Sequence, residues 1–177
     1  MFRFSSIGWL NIYYNLIFFI LIIGLIGFTY ASMIALVQID IKKIIAYSSI
    51  AHMNFSIIGL FSNTVIGLGG VFIMMLGHGV TSSASFLGIG ILYDRYKTRL
   101  LFYYGGLVYY MPLLSIVYLF YVLPNLGFPG TLNFVGEFLI LVGGSHISFF
   151  ISFLTTFGML LSLIYSPFPY NRIFYGH

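Results

Sequence analysis

Long apolar stretches alternate with short polar joints along the whole chain. The first stretch, Leu16 to Val37, reads LIFFILIIGLIGFTYASMIALV. Others cover about Ile44 to Phe61, Leu68 to Leu92 and Ile147 to Tyr165, and a fourth in chain order runs from about Met111 to Val142. At a 1.5 Å rise per residue, the unbroken ones are ~27–38 Å long, enough to cross a ~30 Å hydrocarbon layer. The pattern predicts an all-α fold, a polytopic transmembrane helix bundle of about five spans. The Met111–Val142 stretch holds Pro124, Gly127, Pro129 and Gly130, so it is expected to be a broken helix over about 111–142. No repeat or linker divides the chain, which reads as a single transmembrane unit over residues 1–177.

The joints carry the charge. Asp40-Ile41-Lys42-Lys43 opens the second stretch, SNTVIG (62–67) closes it, and YDRYKTR (93–99) follows the third. The Lys42–Lys43 pair and YDRYKTR are expected on different sides of the membrane, so the positive-inside rule would leave orientation open. Tyr13, Tyr14, Tyr103, Tyr104, Tyr109, Tyr110, Tyr170 and Tyr175 lie near stretch ends, as an interfacial belt would.

Composition sharpens this picture. Hydrophobic residues make up 60% of the 177, with seven basic and three acidic side chains. A soluble domain has about a quarter of its residues charged, so this chain could not cover its own core in water. The basic residues are dispersed between apolar stretches, which excludes a nucleic-acid footprint. There is no cysteine, hence no disulfide or thiolate metal site, and no metal site is expected. The opening MFRFSSIGWLNIYYN does not read as a cleavable signal or transit peptide. Insertion through the first helix, or synthesis inside the compartment of use, is therefore expected.

A few polar residues lie inside the apolar stretches. Glu137 follows the Pro/Gly interruption by less than two turns. A lone carboxylate within a span is costly and faces a bundle interior or a water-filled cavity. The interruption itself frees backbone groups that only protein or water can satisfy at that depth, and broken helices of this kind mark ion sites. The blunter reading is a protonated acid making one interhelical hydrogen bond. His78 is followed by Thr81, Ser82 and Ser85 at i+3, i+4 and i+7, a stripe on one helical face. Such a stripe suits ordered water and proton hopping, and equally suits helix packing. Ser48, His52 and Ser56, at i, i+4 and i+8, form a second stripe with the same two readings. Lys42 and Lys43 beside Asp40 are either interfacial anchors that snorkel to the headgroups or an intramembrane cation paired with a carboxylate. No nucleotide loop, zinc motif or nucleophile elbow is present, and no catalytic residue is expected.

Taken together, DIKKIIAYSSIAHM, LGHGVTSSASFLGIGILYDRYKTR and LGFPGTLNFVGEFLIL resemble the antiporter-like subunits of proton-pumping NADH:ubiquinone oxidoreductase, respiratory complex I. The resemblance runs from about Ala35 to Gly176. The position of Glu137 is typically lysine in sister chains, so the glutamate favours the chain 4 branch of that family. The resemblance implies a proton path. Glu137 would be the ionisable residue of the broken helix in the second half-channel. His78 would belong to the central hydrophilic axis, His52 to the same route, and Lys42, with Asp40 as partner, would stand at a helix mouth. It further implies a non-redox subunit of a proton-translocating NADH:ubiquinone reductase in the mitochondrial inner membrane, with a bacterial plasma membrane or plastid membrane as alternatives. NADH, flavin, iron–sulfur clusters and ubiquinone would belong to other subunits, with no cofactor in this chain.

The departures are as informative. Family members have about fourteen membrane helices, and this chain matches only helices nine to thirteen. The first half-channel with its paired glutamate and lysine is missing, as is a central lysine. Residues 1–15 match little. A split-gene product is therefore expected, with a separate partner chain carrying the missing N-terminal helices among other membrane-arm subunits and lipid. A multisubunit cation/proton antiporter is the alternative, and a purely architectural remnant a third reading.

Overall fold

A computed structural model describes the backbone of residues 2–176 and the side chains of residues 14–176. The expectation for the Tyr13 side chain falls outside those residues. The chain is helical, in the order α1 (Phe2–Val37), α2 (Ile41–Leu60), α3 (Val65–Tyr96), a 3-10 turn (Leu101–Tyr103), α4 (Leu107–Tyr110), α5 (Pro112–Asn125), α6 (Leu132–Ser145), α7 (Phe149–Tyr165) and α8 (Pro167–Tyr175). Among the described residues, three segments are long and apolar enough to cross a membrane, namely Tyr14–Val37, Val65–Tyr96 and Phe149–Tyr175.

Helix limits follow local chemistry. At the start of α3 the Thr64 hydroxyl accepts from Gly67 N at 3.1 Å, which satisfies one of the orphan donors of a first turn. The same helix stops at Lys97, which takes the left-handed conformation at φ 54° and donates its N–H to Tyr93 O at 2.8 Å. It runs past the apolar stretch at both ends because Val65, Ile66 and Tyr93–Tyr96 continue its hydrogen bonding beyond the hydrocarbon pattern. Helix α1 likewise begins well before Leu16.

Helices α5 and α6 are the two halves of one span. A methyl on Gly143 would lie 2.7 Å from Gly67 Cα, one on Gly136 2.7 Å from Met74 Cβ, and one on Gly88 2.8 Å from the Tyr118 ring. Positions rising along α3 thus meet positions falling along α6 and then α5, so the broken helix runs antiparallel to α3. Backbones approach this closely only where side chains are absent, the small-residue packing usual between membrane helices. Pro124 lies in the last turn of α5 rather than in the break. The break itself, residues 126–131, is capped from both sides. Phe128 N donates to Leu123 O at 3.2 Å and Gly127 N to Pro124 O at 3.0 Å, a Schellman closure with Gly127 at φ +66°. On the far side the Thr131 hydroxyl accepts from Phe134 N at 3.4 Å.

Sidedness differs from the expectation drawn from the joints. Asp40 and Leu100 form an antiparallel bridge, with Ile41 N donating to Arg99 O and Leu101 N to Ile39 O, each at 3.1 Å. Lys42–Lys43 and YDRYKTR therefore share one end of the bundle, because α2 leaves that end and α3 returns to it. Arg172 lines a pocket with Gln38 and Ile39 at the same end. The tyrosine belt is only partial. Tyr109 and Tyr110 are exposed, whereas Tyr104 and Tyr170 are buried. The Tyr104 hydroxyl donates to Thr98 O at 2.7 Å, and Tyr170 stacks on Tyr118.

Two apolar clusters fill the interior. One gathers Ile41, Ile44, Ile45, Ile89, Leu92, Tyr118 and Phe174 near the charged end. The other gathers Phe28, Phe55, Ile58, Val71, Met74 and Ile140 toward the opposite end. Between them along α2 and α3 lies a layer of buried polar side chains.

Candidate proton-transfer site

That polar layer contains Ser48 and His52 of α2 and His78, Thr81 and Ser85 of α3, all buried. Glu137 of α6 joins it with 4% exposure, beside His52 at 2% and His78 at 3%. An α-helix tilts its side chains toward its N-terminus, so Glu137 leans back to the break. The carboxyl sits directly against the turn: a methyl on Gly127 would come within 2.6 Å of Glu137 Oε2. Glycine at 127 thus serves both the positive φ and the close approach.

His52 Nδ1 lies 3.6 Å from Glu137 Oε1, somewhat beyond hydrogen-bonding distance. The rings of His52 and His78 are 5.0 Å apart between centroids, tilted by 42°. Three helices thus bring one carboxyl and two imidazoles into a row. His52 Nε2 and both His78 ring nitrogens are buried without a hydrogen-bond partner. Among the described residues no lysine or arginine pairs with Glu137. A carboxyl and imidazoles so placed can each accept and release a proton, and none is locked by a permanent counter-ion.

Of the hydroxyl stripes, Thr81 donates to His78 O at 3.2 Å, Ser85 to Thr81 O at 2.7 Å, Ser48 to Ile45 O at 2.7 Å and Ser56 to His52 O at 3.0 Å. Each leaves its oxygen lone pairs free toward neighbours. Ser82 does not belong to this face. It is only half-buried and donates to Gly79 O at 3.4 Å, because i+4 from His78 turns it past the helix contact.

Lys42 stands apart. Ten residues along α2 place it ~15 Å from His52, and its Nζ lies 4.9 Å from the centroid of Tyr93. Arg99 meets the same ring at 5.1 Å. Asp40 pairs with exposed Lys43 at 3.2 Å rather than with Lys42. Among the described residues no group of three or more metal-ligating side chains occurs.

Pattern reading along the sequence passes over three further polar residues. Asn133 is fully buried one turn before Glu137, with both amide atoms unpartnered, and Asn125 Oδ1 and the Tyr165 hydroxyl are also buried without partners. Only the i, i+4 spacing of Asn133 and Glu137 on one helical face gives a signal. Asn125 and Tyr165 are isolated in the sequence and gain meaning only from the fold.

A family model for the transmembrane region of NADH:quinone oxidoreductase and Mrp antiporter subunits matches residues 1–164. The chain belongs to that family. The chain 4 of NADH-ubiquinone oxidoreductase from Marchantia polymorpha is 50% identical over 159 residues, 90% of this chain and 32% of the relative. This family member therefore spans about a third of the length of the curated relatives it matches. Among solved structures, respiratory complex I from Thermus thermophilus with bound NADH aligns with a TM-score of 0.88 at 28% identity, over 92% of this chain and 35% of that one. The Mrp complex from a Dietzia species aligns at 0.85 with 19% identity, over 91% and 30%, a likeness of fold. The helical membrane bundle expected from the hydropathy pattern, and the resemblance seen in the three motifs, are both borne out.

Proposed function

We propose that the chain is part of a membrane-arm subunit of NADH:ubiquinone oxidoreductase and contributes a proton half-channel to redox-coupled proton translocation. One observation carries this reading: Glu137 is buried at the helix break, 3.6 Å from His52 and, among the described residues, without a fixed cation beside it. A carboxyl in such surroundings changes its charge with its neighbours, because charges interact much more strongly in a low-dielectric interior than in water. Electrostatic coupling along Glu137, His52 and His78 then moves a proton when charge changes elsewhere in the assembly.

The redox chemistry belongs to other subunits, which would hold NADH, flavin, iron–sulfur clusters and ubiquinone. The remaining helices of the antiporter-like fold, whichever chain carries them, would complete the path and supply its first half-channel. The inner mitochondrial membrane is the location this reading favours, since the Marchantia relative is a chain 4 of that enzyme. Lys42, Lys43, Arg95, Lys97, Arg99 and Arg172 lie toward one end of the bundle. By the positive-inside rule that end faces the compartment of synthesis.

A cation/proton antiporter subunit is the second reading, favoured by the fold likeness to the Mrp complex. Mild solubilisation, native electrophoresis and mass spectrometry separate the two. Recovery in a large NADH-oxidising assembly, with the missing helices present, is the expected result. Recovery in a small assembly without flavin or iron–sulfur partners would overturn it in favour of the antiporter.

A further inference from the structure

A second polar site lies one turn from His52 and two from His78, toward the charged end. A cavity of about 30 Å³ is lined by Ser48, Ser85, Tyr118, Asn125 and Tyr165, drawing on α2, α3, α5 and α7. A cavity holds a water once about 10–15 Å³ is open to it, provided polar groups are there to receive it. The space thus fits one or two water molecules.

The polar atoms around it are complementary to water. Ser48 and Ser85 spend their hydroxyl hydrogens on Ile45 O and Thr81 O, each at 2.7 Å, which leaves their oxygens as acceptors. Asn125 Oδ1 is an acceptor, buried and unpartnered. The Tyr165 hydroxyl, on a side chain 2% exposed, is a donor and is also unpartnered. Ser48, Ser85 and Asn125 offer acceptors and Tyr165 a free donor beside this water-sized space, and a water molecule donates twice and accepts once or twice. Leaving the Tyr165 and Asn125 atoms bare would cost about 1–3 kcal/mol for each buried group.

We propose that this cavity is a water site and that its water extends the proton route from the Glu137–His52–His78 cluster toward the charged end. The connection passes Ser48, one helical turn from His52 on the same face of α2. Its hydroxyl hydrogen swings from Ile45 O to His52 Nε2, which is free of any other partner, as its oxygen accepts a proton from the water. Tyr165 is a positioning residue here, since its hydroxyl holds the water that hands on the proton. This role rests on reading the cluster as a proton path, whereas the water site itself does not.

The test is cryo-electron microscopy of the whole native assembly at a resolution that shows ordered water, on the parent and on Tyr165→Phe, with proton pumping measured on the same preparations. Tyr165→Phe keeps the ring and its packing and removes the hydroxyl alone. Ser85→Ala, which removes one acceptor, serves as the second variant. The expected result is density for water within hydrogen-bonding reach of Tyr165 Oη and Asn125 Oδ1 in the parent. In Tyr165→Phe that density is lost and pumping falls severalfold in a fully assembled complex, with a smaller fall in Ser85→Ala. A cavity closed by side chains or filled by an acyl chain in the parent would overturn the site. Unchanged pumping in both variants would overturn its role. Glu137→Gln, measured alongside, separates failures: if it abolishes pumping while Tyr165→Phe is silent, only the water route falls.

Discussion

Ionisable side chains occupy two regions of this bundle, and the regions treat them in opposite ways. At the charged end, cations find partners locally and at low cost. Lys43 reaches Asp40, while Lys42 and Arg99 lie against Tyr93. These groups lie at the end of the bundle and can be lost singly with little consequence. In the middle layer, Glu137, His52 and His78 are enclosed by two apolar clusters and held by helix packing. His52 Nε2 and both His78 ring nitrogens remain without partners. The difference teaches that the middle layer is organised from outside: the glycine seam between α3 and α6 fixes where Glu137 points, and local pairing does not.

The comparison predicts the largest effect at the seam. Gly136→Leu would drive a side chain into the Met74 backbone, 2.9 Å from where its Cβ would sit. Overpacking costs about 1–3 kcal/mol even where only side chains must shift, so loss of the assembled complex on native gels is expected. Gly79→Ala, with nothing within 4 Å of the added methyl, should assemble normally. Equal tolerance of both would remove the seam from its organising place.

Next comes the middle layer. His78→Phe keeps a ring against His52 but removes both nitrogens. Assembly should persist while proton pumping falls on the order of tenfold, equivalent to about 1.4 kcal/mol on the limiting step. Pumping at the parent rate, measured with a pH-sensitive dye at matched complex content, would reduce His78 to packing.

Lys42→Met should do much less. A cation–aromatic contact contributes ~0.5–1 kcal/mol at exposed sites and about 2 when desolvated. Lys42 and Tyr93 are both half-buried, so a modest loss of thermal stability with parent-level pumping is expected. A fall as deep as that of His78→Phe would carry the proton path to Lys42 itself and erase the distinction between the regions. Smallest of all is Asp40→Asn, which breaks a surface pair worth ~0–1 kcal/mol. Its thermal midpoint should match the parent's within error, and a clear drop would show that the Asp40–Leu100 bridge depends on charge.

Much of this was legible along the chain. Hydropathy places the spans because lipid requires long apolar helices, and Glu137 with the Pro/Gly interruption stands out because each is costly there. The i, i+4 spacing finds Ser48, His52 and Ser56 because one helix carries them. What the sequence hides depends on more than one helix. Asp40 has two lysines within reach, and only the fold shows it beside Lys43. Ser82 has the spacing of the polar stripe, yet the angle at which α3 meets α6 turns it aside. Asn125 and Tyr165 are 40 positions apart and share a cavity only because α5 and α7 converge on it. The shared side of Lys42 and YDRYKTR follows from α2 leaving and α3 returning, which the bridge at Asp40 fixes.

Proton translocation driven by NADH oxidation in membranes carrying Glu137→Gln tests the role of the middle layer most directly, with complex content matched to the parent. Glutamine fills the same space beside Gly127 and His52 but cannot release a proton. Pumping and the quinone reduction coupled to it should both collapse in a complex that still assembles. Pumping at the parent rate would contradict a proton-carrying role for Glu137 and leave its buried carboxyl as a packing element of the bundle.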